Sequence, residues 1–407
     1  MTRRPSSRVT EEMTPRWLVA LTEYAGVTPY TGGIGRHYAS LLPALVRAGV
    51  DIDLVLFVDD ELLTRQAEGG VRIVAHRRLH GVPTALVPIV RAIDFRAIAV
   101  SRNYDRVLLP EWGGIGAFLP DALPVVTNLA TSMRLSNEVS GIDVRALPAG
   151  RRVLVATQNF CEDRQIARSR GVVPISSAME ARNRRLLGGL PLAHVVRNCI
   201  DVERVQDLAG SSPLPAAWPS GAWRTVLFLG RLERRKGVVD AADAFRIVAE
   251  SADDVRFVFA GSPGDSRFEP TKSELLDRIG AGAQGRVTLL GHVPGAELYR
   301  AIAVADVVVC PSRWEGFGQV ALEAKAIGRP LVVTSGSGYD DFCEDDVDSL
   351  VVAPAAPVAL AAAILRLLQD HELAARIASA ARSGVSRFTA DAVAPDVVEA
   401  VTALGAR

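Results

Sequence analysis

Runs of consecutive aliphatic residues recur along the chain, each closed by a glycine, proline or asparagine or by a polar turn, and followed by a stretch with helical periodicity. In the first half they cover residues 17–21, 52–58, 106–110, 124–127 and 172–175; in the second, 226–229, 255–260, 287–290, 307–309, 331–334 and 349–352. A strand that is apolar on both sides belongs in a sheet covered on both faces, the condition of a parallel sheet flanked by helices. Helices are predicted up to residue 42 and over 239–249, 296–303, 358–368 and 372–382, and residues 391–404 read as a further amphipathic helix. Strands alternating with helices predict an α/β, doubly wound fold. The Pro, Gly and Ser content of residues 210–222 interrupts the alternation and reads as a linker between two such units.

Length, charge and cysteine use narrow the class. A chain of 407 residues exceeds one ordinary core and suits two domains. Its 46 basic and 46 acidic side chains cancel, so nothing global draws it to nucleic acid. Cys161, Cys199, Cys310 and Cys343 stand far apart with no C-x-x-C pair, as in a reducing compartment. The six histidines include no H-E-x-x-H, and no metal site is expected. Residues 1–15 are polar and lack the apolar centre of a signal peptide, so they read as a disordered tail. The apolar stretch 82–100 is broken by Pro88, Arg91, Asp94 and Arg96, too often for a bilayer span. A cytoplasmic protein is expected.

Candidate chemistry gathers at strand ends, where open α/β sheets bind ligands. After the first strand, Gly32, Gly33 and Gly35 open a helix whose amides either receive a phosphate or form a plain tight turn. Glu111, Trp112 and Asn128 follow later strands, as cleft residues or as ordinary strand caps. The arginines between 151 and 185 face either an anionic acceptor or solvent. In the second half, Arg231 and Lys236 lie between a strand end and a helix start, where a two-pronged donor and a point charge suit a diphosphate. Gly291, His292 and Val293 close another strand. Further on, Glu315 precedes the turn Gly316-Phe317-Gly318, and Glu323 lies on the helix after it. Two acids at this spacing either grip a polyhydroxylated ligand from both sides or are solvated charges at a helix start.

In order, the chain reads G-G-x-G near the N-terminus, R-N-x-I-D at 197–201, G-R-L-x-x-x-K-G at 230–237, E-G-F-G-x-x-x-x-E-A at 315–324 and A-x-G-x-P at 326–330. This series, spread over nearly the whole chain, resembles the retaining glycosyltransferases of the GT4 family. The resemblance implies a GT-B architecture: two Rossmann-like domains with parallel sheets facing a central cleft, and a C-terminal helix returning to the N-terminal domain. It divides the chain into the tail 1–15, an acceptor-binding domain 16–205, a linker 206–222, a nucleotide-sugar domain 223–385 and the returning helix 386–407. The implied reaction moves a hexose-type sugar from a nucleotide diphosphate sugar, UDP-sugar favoured over GDP-sugar, to a hydroxyl of a glycan, lipid-linked or small-molecule acceptor.

The resemblance also implies roles. Arg231 and Lys236 would hold the diphosphate and stabilise it as it departs. Glu315 would bind the transferred sugar, aided by the N–H groups of Gly316, Phe317 and Gly318. Glu323 would hold the ribose, Gly32 and Gly33 would close over the phosphates, and Gly291, His292 and Val293 would lie near the base. Glu111, Trp112 and Asn128 are the acceptor-side candidates. No metal or other cofactor is implied; the partners are the donor and a hydroxylated acceptor, with no nucleic acid, and weak peripheral membrane contact stays open. The chain departs from the pattern at Asn128, where many relatives carry a histidine; an amide can hydrogen-bond but cannot titrate. Cys199 replaces the usual glycine of N-G-x-D, and Asp346 and Ser349 replace glycines. A sugar phosphorylase or epimerase on the same fold, or a non-catalytic partner subunit, are the alternatives.

Overall fold

The computed structural model describes residues 14–265 and 268–406. The tail expected over 1–15 therefore lies outside the described residues, apart from residues 14 and 15. The first sheet contains β1 (Arg16–Leu21), β2 (Asp51–Phe57), β3 (Arg72–Arg77), β4 (Arg106–Pro110), β5 (Val125–Leu129) and β6 (Gly171–Pro174), in the spatial order β3-β2-β1-β4-β5-β6. All its pairings are parallel. Its helices are α1 (Gly33–Arg47), α2 (Val87–Ala99), α3 (Met133–Val139), α4 (Ala149–Arg168) and α5 (Ser177–Leu186); α6 (Val202–Ser211) follows in the chain but packs on the second half, where Gln206 Nε2 donates to the Ala326 carbonyl at 2.8 Å.

β1 shows why continuous aliphatic runs make such a sheet. Its residues point alternately to opposite faces. Leu18 and Ala20 enter the core beneath α2 with Phe95 and Ala99, while Trp17, Val19 and Leu21 enter the core beneath α1 with Leu42 and Leu45. Several elements escaped the sequence pattern, β3, α4 and α6 among them. Edge strand β3 carries arginines at both ends and is only partly covered. α4 buries Gln158, Glu162 and Gln165 in place of aliphatics. α6 runs to Ser211, so helix occupies the first part of the segment read as linker from 206.

The second sheet repeats the topology. β7 (Arg224–Leu229), β8 (Val255–Ala260), β9 (Val287–Gly291), β10 (Val307–Cys310), β11 (Leu331–Thr334) and β12 (Leu350–Val352) lie in the order β12-β11-β10-β7-β8-β9, again all parallel. Around them pack α7 (Val238–Ser251), α8 (Lys272–Ile279), α9 (Gly295–Val304), α10 (Gln319–Ile327), α11 (Pro357–Gln369) and α12 (His371–Gly384). α13 (Ala390–Gly405) then crosses back: Val393, Val397, Val401 and Leu404 share one core with Leu42, Leu45 and Val173 of the first domain. Gly171 permits the contact, since a Cβ there would stand 2.5 Å from a methyl carbon of Leu404. The C-terminal helix thus returns to the N-terminal domain, as the amphipathic pattern over 391–404 requires. Among the described residues no helix is long and apolar enough to cross a membrane.

A single core cluster joins the two halves. It includes Leu129, Ile175 and Met179 from the first and Trp314, Phe317 and Phe342 from the second. Beside it, Lys325 of α10 is almost fully buried, donating to the carbonyl of Phe342 and lying 2.6 Å from the Asp348 carboxylate. Removing one member of a buried pair strands the other in a poorly solvating medium. Lys325→Met should therefore cost about 3–5 kcal/mol of stability in denaturant unfolding, a loss that Lys325→Met combined with Asp348→Leu should largely restore.

Candidate active site

In each sheet the strand order reverses once, between β1 and β4 and between β7 and β10. Such switch points splay the adjoining loops and open a crevice at the carboxyl ends of the strands. The β7 loop passes through Gly230 and Arg231 to a short turn over Arg234–Lys236, then enters α7 at Gly237. Gly237 has φ +71°, and a Cβ there would stand 1.8 Å from the Pro311 carbonyl oxygen, so only glycine lets the two switch-point loops touch. They are fastened to each other: Arg313 N–H donates to Arg235 O at 2.8 Å, and the Arg313 guanidinium grips Asp240 at 2.8 and 2.9 Å.

This fastening brings Lys236 onto Glu315. The ammonium donates to the Glu315 carboxylate, which also accepts from Ser312 Oγ at 3.3 Å. Burial by itself would raise the Glu315 pKa, but the charges of Lys236 and then Arg235 outweigh it and hold the carboxyl below its usual range. Arg231 lies on the same loop, half-exposed, with its guanidinium 2.9 Å from Glu233. Arg234 turns away to Glu274.

After Glu315 the chain makes its glycine turn. Gly318 has φ +105°, with the Tyr339 ring 2.2 Å from where a Cβ would be, and it caps α10. Phe317 is buried in the shared core, so what it offers a ligand is backbone, not ring. Gly316 rests on Met179 and its carbonyl accepts from Ser176 Oγ, which seats the turn on the first domain. Glu323, one turn into α10, is buried; Arg36 Nη1 lies 3.3 Å away and Tyr299 Oη donates at 3.4 Å. Burial raises its pKa in spite of both partners. One Glu323 oxygen has no hydrogen-bond partner among the described residues. Gly291, His292 and Val293 lie at the end of edge strand β9, with His292 exposed and Val293 buried.

On the first-domain side the geometry departs further from expectation. The amides of Gly32 and Gly35 donate to the Glu23 carboxylate at 2.7 and 2.8 Å, so this helix entry already carries an anion from its own chain. Glu23 belongs to no motif, and nothing in the sequence marked it. Asn128 uses both ends of its amide internally, donating to Val173 O at 2.8 Å and accepting from Tyr38 Oη at 3.2 Å. Glu111 is a correction: expected at the cleft, it lies wholly buried beneath it, accepting from Ala130 N–H at 2.7 Å. The next strand's loop captures its carboxylate, because a buried N–H must find an acceptor. Trp112 stays partly exposed. Another residue without a sequence signal is His37, buried and held neutral with its pKa down to about 4 by burial; Cys199 N–H donates to its Nδ1 at 3.3 Å. Among the described residues no group of His, Cys, Asp or Glu side chains is arranged to hold a metal ion.

Two doubly wound sheets with their switch-point loops turned toward each other, tied by a C-terminal helix that crosses back, define a GT-B protein. Residues 223–370 match the family of glycosyl transferases group 1. Glycogen synthase of Mycobacterium tuberculosis is 28% identical over 406 residues, covering 92% of this chain and 91% of that protein. Sucrose-phosphate synthase from Thermosynechococcus elongatus superposes with a TM-score of 0.74 at 21% identity, over 96% of this chain and 99% of that one. Anabaena HepE in complex with UDP-glucose superposes at 0.67 with 18% identity, over 95% and 99%. Over residues 223–370, then, the chain is similar to the group 1 glycosyl transferases, and its fold is that of the GT-B structures.

Burial raises the Glu111 carboxyl from its ordinary 4.5 to about 8, and Glu162 beside it to about 7. Between those limits the folded chain holds protons that the unfolded chain has released, so raising the pH across the window favours unfolding. Glu111→Gln keeps an acceptor for Ala130 N–H and has no proton to lose. Its unfolding midpoint should fall less steeply than that of the parent from pH 5 to 8 (approximate bounds set by the two pKa values); equal slopes would assign the dependence elsewhere.

Proposed function

We propose that the chain is a retaining, metal-independent hexosyltransferase of the cytoplasm, moving a sugar from a nucleotide diphosphate sugar to an acceptor hydroxyl. The observation that carries this reading is the contact of Lys236 with Glu315 at the second sheet's switch point, on a loop that also carries Arg231. On this reading Arg231 and Lys236 would meet the diphosphate, and the buried Glu315 carboxylate, whose ionised form is favoured, would accept from sugar hydroxyls. A UDP-sugar is favoured over a GDP-sugar, in keeping with the UDP-glucose bound by HepE on the same fold.

In the proposed reaction the bond from the anomeric carbon to the phosphate oxygen breaks as the acceptor oxygen bonds to the same face of that carbon. The acceptor proton passes to the departing phosphate. Positive character grows on the sugar and negative charge on the leaving group. Arg231 and Lys236 neutralise the latter, as fixed donors that need no reorganisation during reaction. Glu315 orients the sugar with the amides of the Gly316–Gly318 turn. Glu323 takes the ribose hydroxyls with its unpartnered oxygen. The acceptor enters from the first domain, where Trp112 keeps its exposed face.

The test is incubation with a panel of UDP- and GDP-sugars, reading nucleotide release with and without hydroxylated acceptors, the anomeric configuration of the product, and the rate in the presence of a chelator. Acceptor-dependent release with retention and no chelator effect supports the proposal. Binding without turnover for every donor points to a partner subunit, and release that requires phosphate points to a phosphorylase. Arg231→Ala should lower kcat about a hundredfold, the value of one fixed donor of roughly 3 kcal/mol, with a smaller rise in donor KM. Near-parental kcat would remove Arg231 from the role.

A further inference from the structure

Among the described residues, one guanidinium near the first domain's switch point has neither a counter-ion nor a hydrogen-bond acceptor. Arg91 lies one turn into α2, and side chains on a helix lean toward its N-terminus. In a parallel sheet that end adjoins the carboxyl ends of the strands, the edge at which the cleft opens. The Arg91 guanidinium carbon lies 6.0 Å from the centre of the ring of Phe57, the last residue of β2. Its Nη1 stands 3.1 Å from where a Cβ would stand on Gly113, three residues beyond β4. Gly113 has φ +80° and no side chain, which leaves room for the guanidinium between the two strand ends.

The neighbouring arginines are all engaged. Arg77 pairs with Asp94, Arg78 with Glu61 and Arg134 with Asp163, while Arg96 and Arg164 donate to carbonyls at 118 and 117. Arg91 makes neither an ion pair nor a hydrogen bond among the described residues, and its Nε is buried without an acceptor. Asp59 is the acid whose field reaches it, and that carboxylate accepts from Leu79 N–H. Burial lowers the Arg91 pKa below the ordinary arginine value. A largely desolvated cation without a counter-charge costs stability unless an anion completes it, and a planar fork suits a tetrahedral oxyanion bidentately.

We infer that Arg91 anchors an anionic group of the acceptor, a phosphate ester, at the cleft edge between the ends of β2 and β4. The phosphate belongs either to a small phosphorylated polyol or to a lipid-linked acceptor. This inference rests on the glycosyltransferase reading and gives it an acceptor class.

The test compares a small polyol with its phosphate monoester as acceptors, and in a second arm a polyol phosphate presented on lipid vesicles. With the parent chain, KM for the phosphorylated acceptor should lie about tenfold or more below that for the neutral one, the worth of one charge-assisted contact. Arg91→Gln should bring the ratio of the two KM values close to one, and Arg91→Lys should fall between. Preference for the soluble ester or for the vesicle identifies the source. No preference in the parent, or an unchanged ratio in Arg91→Gln, overturns the inference. Inorganic phosphate binding by calorimetry separates its failure from failure of the enzymatic reading: binding by the parent that is lost in Arg91→Gln supports the anion site even if no donor is turned over, and equal binding by both refutes it. Should Arg91→Gln not fold, Gly113→Ala, which intrudes on the guanidinium, gives the same readout.

Discussion

The burial of Phe317 is the constraint on which the rest of the cleft depends. Its ring packs 4.9 Å from Phe342 and 6.2 Å from Phe388, centre to centre. Removing such a side chain from water stabilises by about 1.5–3 kcal/mol, and here the same burial fixes backbone. With the ring pinned inward, the peptides on either side have no freedom to turn. Met179 stands in front of Gly316, and Gly338 lies behind, so close that a Cβ on it would be 2.3 Å from the Gly316 carbonyl oxygen. Phe388 extends the constraint across the molecule, since its carbonyl accepts from Ile200 N–H at 2.9 Å immediately before α13 returns to the first sheet. One aromatic cluster therefore sets the turn, the seam between the domains and the entry of the returning helix.

How much of this was legible in the sequence follows from what each element buries. Strands such as β1 and β10 bury both faces in aliphatic cores, so uninterrupted apolar runs announce them. The charged loops after β7 and β10 were legible because glycine and charge stand directly at strand ends. β3 was not, because an edge strand of sequence R-I-V-A-H-R has one neighbour and little core to fill. α4 was hidden for a different reason. Its inner face holds Glu162 and Gln165, which accept from the amides of Gly113, Met133 and Gly116, so its work is to satisfy loop backbone, and hydropathy does not register that. Glu111 and Glu23 follow the same logic: each carboxylate is positioned by an amide elsewhere in the chain, at 130 in one case and at 32 and 35 in the other. Sequence pattern locates a carboxylate at a strand end but does not tell whether an amide or a ligand will claim it.

The two acids flanking Phe317 differ in what keeps them in place. Glu315 is neutralised within the second sheet by Lys236, aided by Arg235, and its ionised form is favoured there. Glu323 takes its counter-charge from Arg36 on α1, across the seam, and burial still works against its ionised form. A movement that parts the domains would leave the first carboxylate as it is and deprive the second of its cation. Arg36 in turn sits behind the glycine loop that Glu23 caps, and it feels the charge of both carboxylates. The ribose hydroxyls proposed for Glu323 would therefore arrive at a carboxylate already held from the facing domain, sharing it with Arg36 or replacing it. Either outcome ties occupancy of the nucleotide side of the cleft to the position of α1, the helix that also packs against the returning α13. On the proposed reading, donor binding would thus be linked to the relation between the two halves through the Arg36–Glu323 ion pair.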